Sequence, residues 1–173
     1  RIVKEFGLTA VYVTHDQEEA LAMADRMAIL AGGVIEQLGT PEDVYRNPRS
    51  TYVAGFIGET NLLDGVIDQG FDAYGVSVGG TNLMGRVTEE SWHPQSKEKV
   101  RISIRPEALR IEAGGNIAGT IMEKVYLGQC IQYWVETSFA RLQMIELNPQ
   151  RIYAVGDAVA LSVSREDVII LSK

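Results

Sequence analysis

The 173-residue sequence is poor in cysteine and histidine, and it lacks a long apolar run. Its single cysteine, Cys130, excludes an intrachain disulfide framework and any metal site built from several cysteines. Because Cys130 lies in an apolar stretch, we expect it to be a small buried core residue. No apolar run approaches the ~20 residues that a membrane-spanning helix needs. Any link to a membrane is therefore expected to come through a partner.

Positive charge is also scarce, since 16 basic residues face 23 acidic ones and the formal net charge is −7. Residues 1–59 contain 5 basic and 9 acidic residues, which leaves 11 and 14 for residues 60–173. Neither part has the basic excess that a nucleic-acid-binding surface needs, so we expect no nucleic-acid partner. Tyr126, Tyr133 and Trp134 could form a base-stacking platform. The acidic balance favours core and interface packing for these three residues instead.

The most informative segment is the run VTHDQEEAL at residues 13–21. Residues 8–13 before it are apolar except for Thr9, which predicts a strand buried on both faces of a parallel sheet. Ligands bind at the carboxyl ends of such strands, where His15 lies. Asp16 is predicted to cap a helix, with Glu19 three residues later, and Glu18 adds favourable negative charge. The helix start thus accounts for these carboxylates without catalysis.

The pattern of the chain changes near residue 59. Helices and strands alternate in residues 1–59, with a hairpin through Gly32 and Gly33 and a helix opening at Thr40. Beyond residue 60, short alternating strands dominate, the clearest at residues 100–105, and Gly, Asn and Pro turns separate them. We therefore predict an α/β part over residues 1–59, followed by an all-β small barrel over residues 60–173.

Residues 8–30, LTAVYVTHDQEEALAMADRMAIL, strongly resemble the histidine-switch region of ATP-binding-cassette (ABC) importer ATPases. The phrase GTPEDVY at residues 39–45 continues the resemblance. It implies that residues 1–59 are the α/β end of a P-loop ABC ATPase domain. It also implies that His15 is the catalytic residue and the ATP contact, touching the γ-phosphate and positioning the attacking water.

Three motifs of that family are missing from the sequence: the G-x-x-x-x-G-K-[ST] phosphate loop, the Leu-Ser-Gly-Gly-Gln signature and an apolar strand ending in Asp-Glu. Since the chain also opens within a helical pattern at residues 1–6, we expect the carboxyl-terminal part of a longer ATPase. ATP and Mg²⁺ are expected in that parent, and neither in this fragment, which has no predicted metal site. Without the phosphate loop and the metal, the fragment alone is predicted to be inactive.

A second resemblance covers the β-rich part. SIRPEAL at residues 103–109 resembles the -RPE- phrase of the transport-associated OB (TOBE) domain, and VYLG at residues 125–128 fits its later half. The resemblance implies an OB-like barrel that supports dimerisation and, in some members, binds regulators or the transported substrate. Arg105, Pro106 and Glu107 could form a binding site, but a turn or an exposed ion pair is the favoured interpretation.

Together the resemblances imply the ATP-hydrolysing subunit of a bacterial ABC import system that energises solute uptake. Such a subunit pairs with a second ATPase subunit and with transmembrane permease subunits, and indirectly serves a solute-binding protein. It lies on the cytoplasmic face of the inner membrane. The phrase FIGETN at residues 56–61 leans toward polyamine cargo. The alternative is a non-enzymatic small-ligand-sensing or scaffold module.

Two further expectations concern single regions. His93 lies in a polar loop with no second candidate ligand nearby, which argues against a metal site. The segment around residues 9–14 is expected to pair with another copy of the chain, and the apolar side of the helix around Leu21 and Met23 is expected to be uncovered.

Overall fold

The computed structural model describes residues 6–7, 9–69, 74–89 and 91–172. Within these residues the chain forms short helices and many strands. The helices are α1 (Gln17–Met23), α2 (Pro41–Arg46) and α3 (Thr51–Phe56). The strands are β1 (Met27–Ala31), β2 (Val34–Gly39), β3 (Asn61–Gln69), β4 (Tyr74–Val78), β5 (Thr81–Val87), β6 (Lys99–Ile104), β7 (Arg110–Ile111), β8 (Ile117–Tyr126), β9 (Cys130–Thr137), β10 (Arg141–Leu147), β11 (Ala158–Ser162) and β12 (Ile169–Leu171).

Each of the three helices begins at a side chain that caps it. Asp16 accepts a hydrogen bond from the backbone N–H of Glu19 at 3.0 Å, which confirms the predicted cap of α1. Thr40 caps α2 in the same way, as predicted, and Ser50 caps α3. These oxygens satisfy amide groups that the first helical turn leaves without partners. Short polar side chains therefore set where each helix starts.

The strand predicted at residues 8–13 is wrong over its described part, and Leu8 lies outside the described residues. Residues 9–14 have no regular secondary structure, and Val11 and Val13 are 93% and 90% exposed. A strand is stable only when a neighbour satisfies its backbone groups, and none of the described strands pairs with this segment. Among the described residues the predicted parallel sheet is not found, whereas the predicted hairpin through Gly32 and Gly33 is confirmed by the antiparallel pairing of β1 and β2.

The first part of the β-rich region is a closed barrel in the order β12-β5-β4-β3-β6. The last strand of the chain closes it, because β12 runs parallel to β5 and antiparallel to β6. Gly65 in β3 permits tight packing inside the barrel. A Cβ atom at this position would lie 2.6 Å from a methyl carbon of Val76 and 2.8 Å from one of Ile102.

The second part is an open five-stranded sheet in the order β10-β9-β8-β11-β7. One hydrophobic core joins it to the barrel, with fully buried side chains from both, such as Ile102 from β6 and Val135 from β9. The prediction of β-barrel architecture is confirmed, but a single small barrel is corrected to a closed barrel plus a packed sheet. The alternating strand at residues 100–105 is confirmed as β6, with Val100, Ile102 and Ile104 all 0% exposed.

Candidate functional site

His15 lies at the bend between the irregular segment and α1, and its side chain is exposed. No hydrogen bond or ion pair joins its imidazole to another residue in the described part of the chain. Its neighbours are ordered by Glu19, whose carboxylate accepts hydrogen bonds from Thr14 at 3.2 Å and Tyr12 at 3.1 Å. The Glu19 carboxylate also raises the pKa of Tyr12. The local framework therefore presents His15 to solvent beside a capped helix.

The second group of functional interest lies at the junction between the helices and the closed barrel. Arg105, just after β6, reaches out of the barrel to backbone carbonyls of the helical part. Its Nη1 donates to the carbonyls of Ala54 at 3.0 Å, Gly58 at 3.2 Å and Glu59 at 2.9 Å. Its Nη2 donates to the carbonyl of Tyr45 at 3.3 Å, and the guanidinium carbon lies 4.2 Å from the centre of the Tyr45 ring. Burial lowers the pKa of Arg105.

The rest of the -RPE- phrase completes this contact. The Tyr45 hydroxyl donates to Glu107 Oε1 at 2.6 Å, and burial together with that hydrogen bond raises the pKa of Tyr45 to about 12. The expected turn is present as a 3-10 turn at Pro106–Ala108. The expected exposed ion pair is corrected: Arg105 and Glu107 both contact the helical part. The contacts agree with the structural role favoured for these residues, and they join the helical part of the chain to the barrel.

Arg86 in β5 makes a second contact across the same junction. Its Nη1 donates to Asn47 Oδ1 at 2.9 Å and its Nη2 to the Arg46 carbonyl at 3.1 Å. On the barrel side, its Nε donates to the Glu166 carbonyl at 2.7 Å. Between the helix α2 and the barrel lies an open cleft of about 740 Å³ that both arginines line. No local sequence signal marks Arg86, since its partners lie 39 to 80 residues away.

The loop between α2 and α3 is held from both sides. Gln37, 2% exposed in β2, donates to the Asn47 carbonyl at 2.9 Å and accepts from the Arg49 N–H at 2.9 Å. From the barrel, the Thr88 hydroxyl donates to the Pro48 carbonyl at 2.6 Å. The hairpin and the barrel thus meet the same loop through hydrogen bonds to its backbone.

The structure does not gather the three aromatic residues into one platform. Tyr133 is 0% exposed in the core, where its hydroxyl accepts from the Tyr153 N–H at 3.3 Å. Burial raises the pKa of Tyr133. Trp134 is the next residue of β9 and therefore faces the other side of the sheet, and Tyr126 is 66% exposed. Core packing is confirmed for Tyr133, whereas Tyr126 is not packed. Cys130 is buried, as expected.

The described residues form neither a candidate metal-binding group nor a membrane-spanning helix. None of their His, Cys, Asp and Glu side chains forms a group of three or more that could hold a metal ion. His93 is exposed in its loop. No helix among the described residues is long and apolar enough to cross a membrane.

The β-barrel architecture and the -RPE- turn define a known class of module. Residues 102–171 match the TOBE domain family. In fold alone, the chain is similar to the crystal structure of the cytoplasmic molybdate-binding protein ModG with molybdate bound. The TM-score is 0.56 at 12% identity, over 65% of this chain and 96% of that one.

Over nearly its whole length the chain matches proteins named spermidine/putrescine import ATP-binding protein PotA. The relative from Rubrobacter xylanophilus is 39% identical over 92% of this chain and 44% of its own length. Those from Thermobifida fusca and Borreliella afzelii are 37% and 32% identical, over 99% and 100% of this chain and 47% and 48% of theirs. The chain belongs to the ABC importer ATP-binding subunits and carries their TOBE domain, as its motifs indicated. It spans about half the length of these curated relatives.

Proposed function

We propose that this chain is the TOBE-bearing part of the ATP-binding subunit of a bacterial polyamine importer. The observation that carries the proposal is its match, over 92–100% of its length, to import ATP-binding proteins for spermidine and putrescine. In the complete importer, two ATP-binding subunits act with transmembrane permease subunits at the cytoplasmic face of the membrane. A solute-binding protein delivers the cargo to the permease.

Within the complete subunit, we assign the contact with the ATP γ-phosphate to His15. Its exposure beside a capped helix supports this, because the imidazole is free to meet a ligand that another part of the protein holds. A preorganised donor at a developing negative charge contributes mainly to the rate of hydrolysis. Most of the binding contacts to ATP would come from a phosphate loop, which this sequence does not contain.

The residues described here do not fit a magnesium site. Their acidic and histidine side chains form no candidate metal group, and the sequence has no apolar strand ending in Asp-Glu. We therefore assign the metal ligands of the complete subunit to residues outside this sequence and derive no step through the metal from this chain.

The hairpin β1–β2 supports a role as part of a larger subunit. Its residues Leu30 and Ile35, which lie opposite each other on one face of the hairpin, are each 60% exposed. A two-stranded hairpin is marginally stable alone, and clustered exposed apolar side chains mark surfaces that contact other protein. We assign this face to contact with the remainder of the ATP-binding subunit.

A chimera tests the proposal. This chain replaces the matching half of the Rubrobacter xylanophilus relative, and spermidine uptake is measured in cells that lack their own polyamine importers. We expect the chimera to restore uptake. The control is the relative with its matching half deleted and not replaced, which should restore none. A chimera that assembles with the permease yet hydrolyses no ATP contradicts the ATPase assignment. One that hydrolyses ATP but imports no polyamine contradicts the cargo.

A further inference from the structure

We infer that Arg86 and Arg105 form a two-point clamp that makes the helical part and the closed barrel move as one body. The proposal goes beyond the transport function, and it concerns how the ATPase end of the chain is mechanically joined to its TOBE domain. It is carried by the contacts of these two side chains, which extend from β5 and from the residue after β6 to α2, α3 and the loops after them.

Three of the carbonyls that the clamp binds lie in the last turns of helices, namely those of Ala54, Tyr45 and Arg46. The last carbonyls of a helix have no amide donor within the helix. At the end of α3, the Gly58 N–H that could reach the Ala54 carbonyl donates instead to Gln17 Oε1 at 2.9 Å. Arg105 supplies the missing donor to Ala54. At the end of α2, Arg105 and Arg86 bind the carbonyls of Tyr45 and Arg46 in turn.

The geometry requires arginine in particular. A guanidinium presents several N–H donors in a rigid plane, whereas a lysine ammonium is a single point on a flexible stem. Arg105 uses its plane twice, donating at its edge to carbonyls and stacking its face on Tyr45. The turn at Gly58 is shaped to admit this stack: its φ is +73°, and a Cβ atom there would lie 3.1 Å from the Tyr45 ring.

The two arginines bind the helical part at different points. Together they therefore resist rotation of the helical part against the barrel as well as its separation from the barrel. Arg105 lies after β6 and binds the end of α3, whereas Arg86 lies in β5 and binds Asn47 after α2. The Asn47 backbone is fixed in turn by Gln37 of the hairpin. A path of hydrogen bonds therefore runs from β2 through Asn47 and Arg86 to the Glu166 carbonyl next to β12.

Native-state hydrogen exchange on the full 173-residue chain tests the clamp. The reporters are helix amides with defined acceptors: Ala54 and Ile57 for α3, and Asn47 for α2. In Arg105→Lys we expect the α3 amides to exchange about tenfold faster or more, the factor for losing one hydrogen bond to a charged group. In Arg86→Lys we expect the same for Asn47. Amides of β8 and β9 keep their rates in both variants.

Arg101→Lys is the matched control. Arg101 joins two strands of the same barrel through Asp64 at 3.3 Å, and its side chain is 29% exposed against 28% for Arg86. We expect no change at the helix reporters in this variant. The clamp is overturned if helix amides are unchanged in both clamp variants. It is equally overturned if β8 and β9 amides accelerate by the same factor, because that outcome shows general destabilisation.

Proteolysis gives a second readout that needs no assignment of amides. Glu59 is exposed, and Arg105 holds its carbonyl at 2.9 Å. A glutamate-specific protease should therefore cleave after Glu59 faster in Arg105→Lys than in the wild type or in Arg101→Lys. Equal cleavage rates in all three proteins contradict the proposal.

Discussion

Asn61 at the start of β3 should stabilise the junction of the two β parts by more than an ordinary polar residue. It is 8% exposed. Its side-chain amide forms hydrogen bonds with the backbone of β10, which is an edge strand of the five-stranded sheet. Its Nδ2 donates to the Gln143 carbonyl at 2.8 Å and to the Ile104 carbonyl at 3.1 Å, and its Oδ1 accepts from the Gln143 N–H at 2.8 Å. Asn61→Ala leaves both backbone groups of Gln143 without these partners.

The magnitude follows from those two groups. A buried polar group left unpaired costs about 1–3 kcal/mol. Because Gln143 is only partly buried, we take the lower end for each group and expect a loss of about 2 kcal/mol in the free energy of unfolding. Urea denaturation followed by tryptophan fluorescence measures it. The control, Asn116→Ala, removes one exposed hydrogen bond to the Asn82 carbonyl, and we expect it to cost less than about 1 kcal/mol.

Asn61→Asp gives the same reasoning a pH dependence. The carboxylate would face the carbonyl oxygens of Ile104 and Gln143, so its pKa in the folded state should lie above the value of about 3.9 in the unfolded chain. The folded state then binds the proton more tightly, and stability falls as pH rises through that window. The variant should be nearest to wild type in acid. If Asn61→Ala matches the wild type, or Asn61→Asp shows no such slope, the account of this contact is refuted.

Three further outcomes are expected. The chain alone should hydrolyse no ATP, since it lacks a phosphate loop, and turnover above a buffer blank that survives further purification contradicts this. The tyrosine titration followed by ultraviolet absorbance should contain a component near pH 12, and this component should be lost in Tyr45→Phe. The stabilising contribution of Tyr45 is complete below pH 10 and lost as pH rises to 12, so an unchanged titration shows that Tyr45 is not the late group. Finally, residues 9–14 should pair with a second copy, so that light scattering shows association that Val11→Lys weakens, whereas a clean monomer at high concentration refutes the pairing.

The parts of the fold that depend on neighbouring residues could be predicted from the sequence. Asp16 and Thr40 cap helices because the groups they bind lie three residues away. The alternation in β6 places Val100 and Ile102 in the core because successive strand residues point to opposite sides. Such patterns require no knowledge of distant residues.

The features that depend on distant residues could not be predicted. Residues 9–13 have the composition of a buried strand, but a strand needs a neighbour and none of the described strands provides one. The return of β12 to the first barrel, which leaves the five-stranded sheet as a separate set of paired strands, is a choice of pairing that no local pattern fixes. The role of Arg105 was also hidden, since its carbonyl partners lie 46 to 60 residues away.

One measurement tests directly whether His15 takes part in ATP hydrolysis. Steady-state ATP hydrolysis and ATP affinity are compared in the chimeric subunit with His15 and with His15→Ala. We expect hydrolysis to fall about 10²–10³-fold, the usual effect of removing one preorganised donor to a developing charge, while ATP affinity stays the same. A variant that keeps most of its wild-type turnover would show that His15 takes no part in hydrolysis.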